Sequence, residues 1–318
     1  MSHVTELIGE RTAAWISDHL DQGERIAGAT RLRGGWTSEM RRIEVTGPDG
    51  GRTLVLRSFV KPFFVRHAEG LLGREAAILG LLGPGEVPAA RLIAVDERAE
   101  RCEHPSLLMT LLPGTIRLDG ADAARQAALM ARQLLAIHRT ETTDLTRPRD
   151  YQAWTAPERV AVPPATSRPG LWARAVALID RPAPAHRPLF LHRDYHPGNV
   201  LLTGHGPALR ISGVVDWVET SWGPADLDVA HCATALALLH GPAHGTAFAD
   251  HYTAAGGTLA DHPRDHLYWR LLDALAFAPD AEKVAVPWRE SGRADLTPWL
   301  LAERLETYIA ALLERYDQ

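Results

Sequence analysis

Hydrophobic positions in the first third of the chain follow two different periods. Apolar residues recur at helical spacing over residues 6–20, and again over residues 67–82 before Gly83. A turn rich in glycine at 47–51 lies between two segments with strand character. The predicted strands cover residues 31–45, 54–59, 90–95 and 107–112. We therefore predict an antiparallel sheet with one internal helix for the N-terminal part.

The pattern changes after Pro113-Gly114, where helical periodicity becomes dominant. Residues 151–169 contain several prolines and are predicted to be irregular. The predicted helices cover residues 121–139, 171–180, 225–240, 244–256, 263–278 and 295–316. The chain is thus predicted to be an α+β protein with two lobes, residues 1–112 and 113–318.

Between the helical regions, residues 189–217 carry three short apolar runs, at 189–191, 199–202 and 211–215. A turn at 203–207 separates the last two runs and predicts a hairpin. Because a hairpin returns its end to its beginning, we expect Asn199 and Asp216 to lie close together, with Asp194 facing both. Asp and Asn side chains are hard oxygen ligands, which suit Mg²⁺ on a nucleotide phosphate and can orient an attacking hydroxyl. The segment therefore indicates phosphoryl transfer.

Composition narrows the class of protein. The chain has 318 residues and a formal net charge of −5, which argues against a general nucleic-acid binder. No basic run supports a membrane-surface role, and no apolar stretch approaches the roughly 18 residues that span a bilayer. The two cysteines, Cys102 and Cys232, and an N-terminus without an apolar run predict a cytoplasmic protein without disulfides or a signal peptide. We expect a monomer or a homodimer.

The motifs in this segment resemble those of the aminoglycoside phosphotransferase and choline kinase group, distant relatives of the protein kinases. The stretch from His192 to Asn199 reads His-x-Asp-x-x-x-x-Asn, and Asp216-Trp217 matches the Asp-Trp variant of the kinase metal-binding motif. Residues 223–230 match the Gly-Pro…Asp-x-Ala segment of the same group. The resemblance implies a bilobal protein-kinase-like fold, with an N-terminal antiparallel sheet lobe that binds nucleotide and a mostly helical C-terminal lobe for catalysis and acceptor binding.

Roles in the catalytic segment follow from this resemblance. Asp194 would accept the proton of the acceptor hydroxyl or orient it, and His192 would support the catalytic loop. Asn199 and Asp216 would bind Mg²⁺, and the phosphate donor would be ATP or GTP. Asp228 would stabilise the catalytic loop.

On the nucleotide side, the turn from Gly34 to Ser38 would cover the phosphates, with the Ser38 hydroxyl as a donor. Arg57 stands where kinases have a strand lysine, and its guanidinium can bind phosphate oxygens. Glu75 on the helix 67–82 would pair with it. Thr110 and Leu112 would contact the base through their backbone.

The leading acceptor is an antibiotic of the aminoglycoside or a related class, and the alternative is a metabolite alcohol such as choline, homoserine or a sugar. Acidic side chains available for a polycationic acceptor are Glu219, Asp226, Asp250, Asp273, Asp280 and Glu282. Tryptophans that could form an aromatic wall instead are Trp217, Trp222, Trp269, Trp288 and Trp299.

Three other classes compete with this interpretation. Histidines 192, 196, 205 and 231 could belong to a metal-dependent hydrolase, which stoichiometric zinc would support. Arg57 in place of lysine leaves open an inactive nucleotide-binding module. A protein kinase is disfavoured because Asp216 leads almost directly into a helix and leaves little room for an activation loop.

Overall fold

The computed structural model describes residues 3–32, 37–83 and 85–317. The chain forms two compact units. The first comprises Met1–Pro113 together with Val215–Val218, and the second comprises Gly114–Val214 and Glu219–Gln318. The sequence did not indicate that Val215–Val218 pack with the first unit. The predicted α+β class, with a sheet in the N-terminal part and helices in the C-terminal part, is confirmed.

An antiparallel sheet with strand order β1-β2-β3-β5-β4 organises the first unit. Its strands are β1 (Arg25–Arg31), β2 (Glu39–Gly47), β3 (Gly50–Ser58), β4 (Leu92–Asp96) and β5 (Ser106–Thr110). The predicted turn between β2 and β3 is confirmed, with Gly47 paired to Gly50. One face of the sheet is buried against helical residues, and Ile43, Leu54 and Leu56 are fully inaccessible there.

The prediction of one strand over residues 31–45 is wrong, because β1 ends at Arg31 and β2 begins at Glu39 as its antiparallel partner. The exposed alternate positions of β1 gave too weak a hydrophobic signal to reveal it. Of the turn predicted to cover phosphates, Gly34, Gly35 and Trp36 lie outside the described residues.

Helices of the first unit are α1 (His3–Ile8), α2 (Glu10–Ser17), α3 (Pro62–Arg66) and α4 (Ala68–Leu82). The single helix predicted over 6–20 is divided at Gly9, whose φ of 82° is left-handed. The carboxylate of Glu103 accepts hydrogen bonds from the backbone N–H groups of Arg11 and Thr12, each at 2.9 Å. A side chain distant in sequence therefore caps the N-terminus of α2, which local patterning could not show.

Helices dominate the second unit. They are α5 (Ala123–His138), α6 (Pro169–Ile179), α7 (Ala225–His240), α8 (Pro242–Ala254), α9 (Pro263–Leu275), α10 (Glu282–Glu290) and α11 (Pro298–Tyr316). All were predicted within a few residues except α10, which contains Pro287. Almost every residue of α7 is buried, and this helix packs against α8 and α9.

Two small sheets carry the residues of the catalytic motif. Strands β7 (Leu189–Leu191) and β10 (Ser221–Gly223) form one sheet. The other contains the predicted hairpin of β8 (Val200–Thr203) and β9 (Arg210–Val214), which is confirmed, and adds β6 (Thr115–Ile116). The hairpin register places Val200 opposite Val214.

Cys102 and Cys232 are buried free thiols, as expected for a chain without disulfides. Among the described residues, no helix combines the length and apolarity that crossing a membrane requires.

Candidate active site

A charged cluster in the first unit joins three of the predicted residues. The guanidinium of Arg57 on β3 donates from Nη1 to both carboxylate oxygens of Glu75 on α4, at 2.9 and 2.8 Å. The same nitrogen lies 3.2 Å from Oδ1 of Asp216. Nη2 donates to the Thr37 hydroxyl at 3.3 Å. The expected pairing of Glu75 with Arg57 is therefore present, and Asp216 shares it.

Burial of this cluster changes the pKa values of its charged groups. The side chains of Arg57 and Glu75 are 5% and 2% exposed, whereas that of Asp216 is 38% exposed. Burial opposes the charge of Arg57, but the carboxylates of Asp216 and Glu75 outweigh it and raise the pKa of the guanidinium. Burial raises the pKa of Glu75. The positive charge of Arg57 lowers this pKa, and the negative charge of Asp216 raises it further. Two carboxylates converge on one guanidinium, so this group would be stabilised by further positive charge.

The second unit contains the other cluster, around Asp194. Nδ2 of Asn199 donates to Oδ2 of Asp194 and to its backbone carbonyl, both at 2.9 Å. Oδ1 of Asp194 lies 3.1 Å from Nε2 of His231 and 3.6 Å from Nε2 of His196. The expected contact between Asp194 and Asn199 is thus confirmed. The place of Asp216 beside them stays a prediction.

Histidines surround the Asp194 carboxylate, which is 31% exposed. Burial alone would raise the pKa of this carboxyl, but His196 and His231 outweigh it and hold the pKa well below the usual range. Asp194 is therefore ionised throughout the neutral range. It is available to accept a hydrogen bond from a hydroxyl group.

Backbone geometry around Asp194 is stabilised by Asp228 at the start of α7. Its carboxylate accepts from the backbone N–H groups of His192 at 2.8 Å and Arg193 at 2.7 Å. Nε2 of His138 lies 3.2 Å from the same carboxylate. Arg193 adopts a left-handed φ of 70°, a conformation that a non-glycine residue keeps only when its surroundings stabilise it. The imidazole of His192 is fully buried, and its role in supporting the loop stays a prediction.

Comparison with known proteins identifies the family of this chain. Residues 28–272 match the model of the phosphotransferase enzyme family. The chain belongs to this family. The prediction of a small-molecule phosphotransferase is confirmed at that level. No curated protein sequence matches the chain.

Several solved structures share the fold of this phosphotransferase at low sequence identity. One, described as a candidate aminoglycoside phosphotransferase from Ralstonia eutropha JMP134, has a TM-score of 0.61 and 18% identity, covering 96% of this chain and 97% of that chain. Spectinomycin phosphotransferase APH(9)-Ia, in complex with ADP and spectinomycin, has a TM-score of 0.55 and 12% identity, with 91% and 94% covered. Aminoglycoside 2'-phosphotransferase-IIIa, in a GDP complex, has a TM-score of 0.58 and 16% identity, with 90% and 93% covered.

Oxygen ligands predicted for Mg²⁺ in this phosphotransferase fit that ion. Both amide hydrogens of Asn199 are directed at Asp194, which leaves the amide oxygen facing elsewhere as a ligand. Asp216 offers a partly exposed carboxylate in a cluster that is short of positive charge. Carboxylate and amide oxygens are what Mg²⁺ prefers in proteins. Each of these residues thus has the chemistry of an Mg²⁺ ligand, and their joint role stays a prediction.

The side chains of Asp194, His196 and His231 also form a group whose ligand atoms all lie within 4.8 Å of one another. This is the arrangement that a metal-dependent hydrolase would need. However, Nδ1 of His196 accepts from the Gly198 N–H, which leaves the proton of a neutral ring on Nε2, the nitrogen nearest Asp194. Both nitrogens of His231 contact carboxylates. The group is therefore a polar cluster in which His231 is hydrogen-bonded to Asp194 and His196 lies 3.6 Å from it.

Other residues predicted for nucleotide binding occupy defined positions. The Ser38 hydroxyl is buried and donates to the Met40 sulfur at 3.6 Å, whereas its neighbour Thr37 contacts Arg57. The Thr110 N–H donates to the Arg91 carbonyl, so only its carbonyl oxygen could contact a base. Leu112 follows β5 in an irregular segment and is half-buried.

The acidic side chains proposed for a polycationic acceptor are largely paired with basic groups. Buried Asp226 and Asp273 contact His266 and His231 respectively. Three exposed or half-exposed acids form ion pairs that are weaker, Glu219 with Arg149, Asp250 with Arg315 and Glu282 with Arg289. Of the tryptophans, Trp217 and Trp269 are core residues, and Trp299 is 74% exposed.

Sequence reasoning missed the environment of Asp194. It did not assign roles to Trp154 or Lys283, and it left His231 and Asp273 among the alternatives. The spacing of His231 three residues after Asp228 on one helix was an available signal, since both then lie on one face. The approach of Asp273 from α9 and Lys283 from α10 has no local signature.

Proposed function

We propose that this protein transfers the γ-phosphate of ATP or GTP to a hydroxyl group of a small molecule, with Mg²⁺ bound by Asn199 and Asp216. One observation carries the proposal. In a chain of the phosphotransferase family, Asp194 is a partly exposed, ionised carboxylate whose two oxygens are oriented by His231 and Asn199. This is the group that an acceptor hydroxyl requires.

The low pKa of Asp194 defines its part in the reaction. The acceptor oxygen forms a bond to the γ-phosphorus while the bond from that phosphorus to the bridging oxygen breaks, and the nucleoside diphosphate leaves. A weakly basic carboxylate orients the hydroxyl first and accepts its proton late, when bonding to phosphorus has made that proton acidic. Mg²⁺, when bound, neutralises charge on the transferred phosphoryl group.

In the first unit, Arg57 and Glu75 form the ion pair that would bind the phosphates of the donor nucleotide. The Ser38 hydroxyl would donate to a phosphate in place of the Met40 sulfur, and the backbone of Thr110 and Leu112 would contact the base. Proteins with this fold are described in complex with ADP and with GDP, which supports a purine nucleotide as the donor and leaves both ATP and GTP as candidates.

For the acceptor, an aminoglycoside or related antibiotic is the leading class, because spectinomycin is bound in a protein of similar fold. A specific observation favours the second class, a metabolite alcohol with little positive charge. The buried acids Asp226 and Asp273 are already committed to histidines, so a polycationic acceptor would find few uncompensated carboxylates there.

The proposal is tested by incubating the purified protein with Mg²⁺ and either ATP or GTP against a panel of hydroxyl compounds. The panel should include polycationic aminoglycosides, neutral antibiotics and metabolite alcohols, and mass spectrometry would detect the gain of one phosphoryl group. Bound nucleotide without transfer to any acceptor would instead support an inactive binding module. Stoichiometric zinc in the purified protein would support the hydrolase.

The decisive variant is Asp194→Asn. We expect it to fold normally and to lose phosphoryl transfer by about 10²–10⁴-fold, the usual contribution of a positioned base. Asp144→Asn, an exposed acid in the second unit, is the matched control and should remain fully active. Full activity of Asp194→Asn would contradict the assignment.

A further inference from the structure

Behind Asp194, on the side away from its Asn199 contact, lies a buried histidine that bridges two carboxylates. Nε2 of His231 lies 3.1 Å from Oδ1 of Asp194, and Nδ1 lies 3.0 Å from Oδ1 of Asp273. The side chains of His231 and Asp273 are 5% and 1% exposed. The three side chains thus form a continuous chain from α9 through α7 to the catalytic loop.

Aromatic side chains determine the orientation of the His231 ring. Phe277 stacks on it with ring centroids 5.7 Å apart and an interplanar angle of 29°. Trp154 meets it edge-on at 4.8 Å and 85°. These two aromatic contacts and the hydrogen bonds at both nitrogens together define the orientation of the ring.

Both ring nitrogens face carboxylate oxygens, which only accept hydrogen bonds. A neutral imidazole carries one N–H and could satisfy one of them, whereas the imidazolium satisfies both. Burial disfavours that charge, but Asp273 and Asp194 outweigh it and raise the pKa of His231 to about 9. The contacts of both nitrogens and the raised pKa therefore both indicate that the His231 ring is doubly protonated and donates to both carboxylates.

We propose that His231, oriented by Asp273, is a positioning residue for Asp194: it holds Oδ1 so that Oδ2 is presented to the acceptor hydroxyl. Asn199 donates to the other oxygen, Oδ2, so contacts at both oxygens define the rotation of the carboxylate. The inference rests on the proposed phosphotransferase function. Because a rotated carboxylate misaligns the hydroxyl in the transition state, the loss of His231 should reduce kcat more than it alters KM.

The experiment compares wild type, His231→Ala, His231→Gln and Asp273→Asn with the best acceptor from the panel. We expect His231→Ala to lower kcat about 10–100-fold, the size of effect expected when a residue that orients a functional side chain is lost, with both KM values within about threefold. His231→Gln keeps one N–H donor and should recover part of the loss. Adding Asp273→Asn to His231→Ala should cost little more, since the two residues act as a unit.

A matched control separates positioning from stability. His266 on α9 is also buried and contacts a buried carboxylate, with Nδ1 2.5 Å from Oδ1 of Asp226, but this pair does not contact Asp194. We expect His266→Gln to lower the melting temperature while kcat stays at the wild-type value. If His231→Ala reduces kcat no more than His266→Gln does, or acts through KM alone, the proposal is overturned.

A readout independent of activity distinguishes this inference from the proposed function. Proton NMR of the wild-type protein with labelled histidine should show two exchange-protected ring N–H signals for His231, and Asp273→Asn should remove the Nδ1 signal. Absence of these signals would overturn the inference even if the enzyme transfers phosphate. Their presence in a protein that phosphorylates nothing would instead count against the proposed function alone.

Discussion

Several buried charges in this protein are compensated by opposite charges. Arg57 is a clear case, because its guanidinium and the Glu75 carboxylate are both almost inaccessible to water. Removing one partner of such a pair leaves the other as an uncompensated buried charge, which costs far more than losing an exposed ion pair. The residue proposed to bind phosphate is therefore also needed for stability.

For Arg57→Ala we expect the free energy of unfolding to fall by about 3–5 kcal/mol, because Glu75 is left buried without its partner. The control is Arg98→Ala, which breaks an ion pair with Glu69 in which both side chains are about 60% exposed; because water screens this pair, its loss should leave stability almost unchanged. Urea denaturation would measure both. Equal losses in the two variants would contradict the burial argument.

A second variant separates the stabilising part of Arg57 from its proposed part in nucleotide binding. Replacing both partners with apolar residues of similar size, Arg57→Met with Glu75→Leu, should recover much of the lost stability. Nucleotide binding measured by calorimetry should stay weak in that protein. Wild-type affinity in the double variant would contradict the proposed phosphate contact.

At the scale of elements, the hairpin of β8 and β9 begins directly after Asn199, so its turn affects the site. Gly204 and Gly206 in this turn both have positive φ, 73° and 49°. Their surroundings differ: a Cβ on Gly204 would lie 2.1 Å from the Ala208 carbonyl oxygen, whereas a Cβ on Gly206 would meet nothing within 4 Å. The two positions therefore separate steric overlap from backbone strain.

We expect Gly204→Ala to lower the free energy of unfolding by about 2–4 kcal/mol, since the turn must open to relieve the overlap. Gly206→Ala should cost about 1 kcal/mol, the strain of a left-handed backbone alone. Thermal unfolding followed by circular dichroism would compare them. A Gly206→Ala variant less stable than Gly204→Ala would show that the turn is built differently.

Helix α10 shows how tertiary contacts determine an element that the sequence hides. Pro287 lies inside it and cannot donate a helical hydrogen bond, which is why the pattern did not predict a helix there. Lys283 on α10 donates to the Ala276 carbonyl at 2.6 Å and lies 4.8 Å from the centre of the Phe277 ring. These contacts join α10 to the aromatic side chain that stacks on His231.

At the scale of the whole molecule, the buried His231 and the half-buried His240 give stability opposite dependences on pH. Burial opposes the charge of His231, but Asp273 and Asp194 outweigh it and raise the pKa to about 9. His192, His196, Lys283 and Arg193 also interact with these carboxylates. Burial, then Arg293, His244 and Arg304, lower the pKa of His240 to about 4, with Asp119 opposing. The ordinary pKa of histidine, about 6.5, lies between these two values, so the two side chains titrate in different pH ranges.

The stability due to His231 is fully present below about pH 6.5 and is lost as the pH rises to about 9, a change on the order of 3 kcal/mol. His240 contributes above about pH 6.5 and its contribution is lost as the pH falls towards 4. We therefore expect a stability maximum near neutral pH in urea titrations. His231→Gln should flatten the alkaline side and His240→Gln the acid side; unchanged profiles would contradict these assignments.

The sequence alone was sufficient to predict those elements whose residues are close together along the chain. The helices from Ala225 to Tyr316 other than α10, the β8–β9 hairpin and the spacing of Asp194 and Asn199 follow from hydrophobic periodicity and turn residues. The motif around them also indicated the family.

Tertiary structure alone decided the features that depend on residues distant in sequence. Glu103 caps the N-terminus of α2, which begins after Gly9. Asp273 and Phe277 orient the ring of His231, which contacts Asp194. The packing of α9 and α10 brings Asp273 and Lys283 close to His231 and Asp194, and these charges determine the protonation of His231. Periodicity reports which face of an element is buried, but burial and charge pairing between distant elements exist only once the chain has folded.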